Sequence, residues 1–86
     1  MGKHDTARPA QRALSREQSK VRAIAVYKML SEGKALTRAD IARRLEKQYG
    51  IKANRRTIYD DIRAVDRIMP IEMIDDGKGG YKKMEV

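Results

Sequence analysis

N-R-R-T-I-Y-D-D-I-R-A-V, Asn54 to Val65, is the stretch on which the reading of this 86-residue chain turns. Asn54 is a good helix N-cap, and Pro70 stops whatever begins there, so the spacing predicts a helix from Arg55 to about Ile68. At 100° per residue, Ile58, Ile62, Val65 and Met69 cluster within about 60° and must face a core. Arg56, Arg63 and Arg67 then fall together on the opposite side, flanked by Tyr59 and Asp60. The two neighbouring aspartates separate. Asp61 lies beside the apolar stripe and is expected to hydrogen-bond within the domain. Asp60 lies among the arginines, where it can pair with Arg56 or Arg63 along the helix or accept a hydrogen bond from a cytosine amino group.

Working upstream, Leu36-Thr37-Arg38-Ala39-Asp40-Ile41 reads as a helix start. Thr37 and Asp40 form a capping box, and Leu36 with Ile41 a hydrophobic staple. Ile41 and Leu45 carry this helix's core face, Ala42 allows close approach, and Arg43 and Lys47 share the outer face. Tyr49-Gly50 closes it, and Ile51-Lys52-Ala53 is a short connection. Before it, Ser15-Arg16-Glu17-Gln18 is another capping-box pattern, which places a first helix from Arg16 to Glu32 with Gly33 ending it. Ala23, Val26, Tyr27 and Leu30 form its expected buried stripe. Val21, Ile24 and Ala25 form a second apolar patch, open to two readings: a wide core face with tail packing, or a homodimer contact. Residues 1–14 read as a flexible basic tail carrying Lys3, Arg8 and Arg12, and residues 15–86 as the domain.

Downstream, Ile71–Ile74 reads as a short strand and Tyr81–Glu85 as its return. The loop between them is Asp75-Asp76-Gly77-Lys78-Gly79-Gly80, whose three glycines are expected to supply positive φ angles. Lys78 at the tip, with Lys82 and Lys83 on the return, can reach phosphate or a minor groove.

Composition bounds the chemistry. Twenty Lys+Arg against twelve Asp+Glu leave a net charge of +8, which favours a polyanionic partner through phosphate neutralisation and steering. Cysteine is absent, the single histidine is His4 in the tail, and no serine has a plausible set of catalytic partners. No enzyme activity, metal site or cofactor is therefore expected. Gly77-Lys78-Gly79-Gly80 resembles a phosphate cradle in composition only, since a P-loop needs a helix after it. No apolar run approaches a membrane span or a signal peptide, so no membrane association and a cytoplasmic, nucleoid-associated location are expected.

Residues from about Arg22 to Met84 resemble the N-terminal winged helix-turn-helix domain of bacterial DeoR-type and WYL-type transcriptional regulators. A-L-T-R-A-D-I-A-R-R-L, R-R-T-I-Y-D-D-I, the P-I-E after the third helix and the late G-G-Y carry the resemblance. Y-G-I-K-A-N is longer than the tight turn of many members, and the effector-binding region that usually follows is not evident. The resemblance implies an α+β winged helix: three helices followed by a two-stranded β-hairpin wing. It also implies a third helix that enters the major groove of double-stranded DNA. Arg55, Arg56, Thr57, Tyr59 and Arg63 match the family's groove- and phosphate-facing positions, with Lys78 at the wing tip. Together with the residue-level reading, the expected DNA-binding set is Arg43, Lys52, Asn54, Arg55, Arg56, Thr57, Tyr59, Asp60, Arg63, Arg67, Lys78 and Lys82. The expected function is sequence-specific duplex binding by a small transcriptional regulator, with a homodimer through Val21, Ile24 and Ala25 as one of the two readings of that patch. The alternatives are a protein-interaction module of a larger assembly, or a nucleoid or RNA-binding protein of low sequence specificity.

Overall fold

Three helices are followed by a two-stranded antiparallel sheet in the computed structural model, which describes residues 2–85, with side chains from residue 16 onward. The helices are α1 (Gly2–Ser31), α2 (Arg38–Tyr49) and α3 (Arg55–Asp66). Strands β1 (Ile71–Ile74) and β2 (Gly80–Lys83) follow, joined through a 3-10 turn at Asp75–Gly77. This is the expected α+β order of helices and then a hairpin.

The helix ends show why these segments form. Thr37 Oγ1 accepts from Asp40 N and Asp40 Oδ2 accepts from Thr37 N, both at 3.0 Å, a complete capping box for α2. At its other end Gly50 takes the left-handed conformation at φ 68°, which lets its N–H reach the last carbonyls of the helix. Asn54 Oδ1 accepts from Thr57 N at 2.8 Å and starts α3. Asp66 then ties the end of α3 to the hairpin, its Oδ1 accepting from Ile71 N at 2.7 Å.

α1 departs from expectation in two ways. It runs upstream through Ser15 to Gly2, so the Ser15 capping pattern lies inside the helix and does not begin it. Ala10 to Leu14 consists of strong helix formers, which carry the helix upstream past Ser15. The tail cations Lys3, Arg8 and Arg12 lie outside the described side chains. The buried face is also rotated by roughly 80° from the expected stripe: Ala25, Val26, Met29 and Leu30 are buried, while Tyr27 is exposed. Arg22, on the same side of α1, is thereby turned toward Asp61 of α3.

The core comprises those four residues with Ile41, Leu45, Ile58, Ile62, Val65 and Tyr81. Ile58, Ile62 and Val65 face it as their spacing requires, with Met69 packed at its edge. Asp61 is the one buried charged residue among those described. Arg22 of α1 grips it with a two-pronged fork, Nε to Oδ2 at 2.5 Å and Nη2 to Oδ1 at 3.2 Å, which fixes α3 against α1.

The hairpin is fastened to the helices by backbone. Ile71 pairs with Lys83 and Ile74 with Gly80, and Leu36 exchanges two hydrogen bonds with Tyr81, at 2.9 and 2.7 Å. β2 thus lies against the segment entering α2. Gly80 makes this possible: its φ is +98°, and a Cβ there would stand 2.7 Å from the Leu36 carbonyl carbon. Gly79 is the exception to the expected trio, with no positive φ. It is required for space instead, since a Cβ would meet Ile74 Cγ2 at 2.7 Å. Asp75 and Asp76 take left-handed conformations beside Gly77.

Candidate nucleic-acid interface

Docking β2 on Leu36 carries the hairpin turn to the start of α2, and this placement creates a site that neither segment has alone. Thr37, Arg38, Ala39, Arg55, Gly77 and Lys78 line a cleft of about 270 Å³. Its three cations come from three elements: Arg38 from the first turn of α2, Arg55 from the first turn of α3, and Lys78 from the hairpin turn. The capping box occupies the N–H groups of Thr37 and Asp40. The first-turn amides of Arg38 and Ala39 have no intrahelical partner, as at any helix start. Cations and amide dipoles converging in this way suit an anion such as a phosphate.

Along α3 from this cleft, Arg55, Arg56, Tyr59, Asp60 and Arg63 are all exposed, with Arg67 at the C-cap also exposed. Arg63 lies over the Tyr59 ring, its guanidinium carbon 6.0 Å from the centroid. Tyr59 in turn meets Tyr81 edge-on, with centroids 6.5 Å apart. This chain Arg63–Tyr59–Tyr81 links the outer face of α3 to the hairpin. A groove of about 430 Å³ between them is lined by Tyr59, Arg63, Met73 and Tyr81, among others. A second cleft of about 390 Å³ runs past Asp60, Arg63, Asp66 and Arg67.

Asp60 does not form the expected pair with Arg56 or Arg63; the ion pairs among the described residues leave it out. An exposed pair on one helix is worth only a few tenths of a kcal/mol, and for Arg63 the Tyr59 ring offers a competing seat. Asp60 still lies beside Arg63 and Arg67 in this second cleft and lowers the positive charge there.

The other expected site residues are dispersed. Arg43 pairs with Asp40 on α2, and Lys82 lies 3.9 Å from Glu85. Lys52 is exposed on the α2–α3 connection, while Thr57 is half-buried in the first turn of α3. Arg43, Lys52 and Lys82 line none of the three clefts. Asn54 is committed through its side-chain oxygen to capping α3. Arg38 was not among the expected residues. Its position directly after the Thr37 cap was visible in sequence, but the return of the hairpin onto Leu36, which surrounds it with Arg55 and Lys78, was not.

Two carboxylates in this neighbourhood have lowered pKa values. Asp40 is held below the ordinary aspartate range first by the hydrogen bond from the Thr37 backbone amide, then by the Thr37 hydroxyl side and Arg43. Glu32 is lowered chiefly by its hydrogen bonds from Arg44, at 3.3 and 3.2 Å. Both remain anionic at neutral pH and neutralise part of α2's charge. Among the described residues no group of His, Cys, Asp or Glu is placed to hold a metal ion, and no helix is long and apolar enough to cross a membrane. Protein-family models, curated proteins and solved structures yield no match to this chain.

Proposed function

We propose that the chain binds double-stranded DNA with sequence preference, as a winged helix of the DeoR/WYL type serving a small transcriptional regulator. On this reading α3 enters the major groove, presenting Arg56, Tyr59 and Arg63 to base edges, where an arginine fork matches guanine O6 and N7. The hairpin is the wing and lies along the backbone. The observation that carries the reading is the convergence of Arg38, Arg55 and Lys78 on one cleft beside the exposed face of α3. A phosphate held there would orient the helix in the groove without itself reading sequence.

A mobility-shift titration with competitor duplex tests the proposal. Selected duplexes should shift at ~50 mM salt, where phosphate contacts are strongest, and resist excess random duplex. Absence of any shift at that salt would remove the DNA reading. Equal retention of every duplex would favour a nucleoid-type protein of low specificity.

A further inference from the structure

Part of the apolar surface left uncovered by the core lies along one side of α1 and at the end of α3. Ile24 and Ile68 are 66% and 77% exposed, and Val21 and Tyr27 41% each. Ala23, Ile24 and Tyr27 of α1, with Ala64, Val65 and Ile68 from α3 and beyond it, enclose an open groove of about 300 Å³. Ala25, the third member of the expected contact patch, is buried and takes no part.

α1 is also too long for the body it packs on. Residues 16–21 are all exposed, and continuous burial begins only at Ala25. A charged helix without a partner is marginal in water. The exposed Glu17, Val21, Ile24 and Lys28 of α1 follow one another at alternating steps of four and three, a spacing that Leu14 and Ser31 continue in the sequence, and this is the spacing of a helix-pairing seam. The two charged positions have opposite sign, and neither forms an ion pair within the protomer among the described residues. Lys28 lies near Glu32, whose carboxylate is already held by Arg44.

We propose that a second copy of this chain occupies this face, with the two α1 helices antiparallel about a twofold axis between Val21 and Ile24. Residue i then faces residue 45 − i. Val21 meets Ile24 of the partner subunit twice, and Glu17 meets Lys28 of the partner subunit twice, so the single acidic and basic positions of the seam match. No other antiparallel register pairs both. Overlap from Leu14 to Ser31 gives about 27 Å of paired helix. With the groove covered as well, this is the scale of a stable contact of roughly 800 Å² per partner. Charge also selects this face. A chain of net charge +8 repels its copy, and the seam is where opposite charges and apolar groups meet. Ala64, on the groove, lies roughly 90° around α3 from the midpoint of Arg56 and Arg63, so pairing leaves the arginine face free.

Sedimentation equilibrium of the full chain, without nucleic acid, tests this independently of any DNA activity. The wild type should have twice the 9.9 kDa protomer mass. Ile24→Glu should be monomeric yet folded, because that side chain is mostly exposed in the protomer, and its thermal melt should no longer depend on concentration, whereas the wild-type melt should rise with it. Glu17→Lys and Lys28→Glu should each weaken association about tenfold, since each places two like-charge contacts across the axis. The double variant should recover to within about threefold of wild type. A wild type still monomeric at about 200 µM, a dimeric Ile24→Glu, or a double swap no better than the single changes would each overturn the proposal.

Discussion

Asp61 and Arg63, two residues apart on α3, have opposite duties, and substitutions should separate them. Asp61 is buried and held by both prongs of Arg22, so Asp61→Ala strands a half-buried guanidinium and should cost about 2 kcal/mol, or about 10 °C in Tm. Arg63 and Arg56 are exposed, and neither forms an ion pair among the described residues. Arg56→Ala and Arg63→Ala should therefore melt within about 2 °C of wild type while weakening duplex binding at least fivefold, given the 1–3 kcal/mol of a good base contact. Thermal melts and binding titrations on the same preparations would check both halves. An Asp61→Ala protein of unchanged Tm but altered base preference would place that carboxylate on the reading face.

The start of α2 is where an element's local chemistry reaches the candidate interface, because Thr37 and Asp40 hold the turn that presents Arg38. Thr37→Ala should cost about 1 kcal/mol. Asp40 has a folded pKa below its ordinary value, so its stabilising effect is present above the unfolded pKa and fades as pH falls through the folded one. Tm should hold from neutral pH to about 5 and fall between about 4 and 2, with Asp40→Asn starting lower and falling less. Thermal melts across that pH range are the measurement. Capping chemistry of this kind is local, which explains why the helix starts at Thr37 and Asn54, the strand at Ile71 and the core face of α3 could all be read from spacing. Other features depend on partners distant in sequence. The rotation of α1 follows from Arg22 meeting Asp61, and the burial of Tyr81 from its bridge to Leu36. The cleft of Arg38, Arg55 and Lys78 arises only once that bridge has formed. The Ser15 capping pattern is local too, but a cap starts a helix only where the preceding residues leave it, and the helix formers Ala10 to Leu14 do not.

At the scale of the whole molecule the question is how a net charge of +8 on a small body becomes affinity rather than mere stickiness. Each phosphate neutralised on duplex DNA releases counterions and contributes about −0.9 to the slope of log K against log[salt]. On the proposed reading, Arg38, Arg55 and Lys78 around the cleft, with the exposed Lys52 and Arg67 at either end of α3, would make about five such contacts per protomer and give a slope near −4.5. A twofold assembly on paired half-sites would double this to about −9. The slope also sorts residues by task. Lys78→Ala and Arg38→Ala should each make it shallower by about 0.9 per protomer and weaken every duplex alike. Arg63→Ala should relax preference among duplexes, because a contact to a base edge carries sequence information that a phosphate contact does not. Fluorescence-anisotropy titrations between about 50 and 200 mM salt would measure both quantities. If Lys78→Ala left the slope unchanged, the hairpin would not touch the backbone, and the cleft beneath it would have to be explained without DNA.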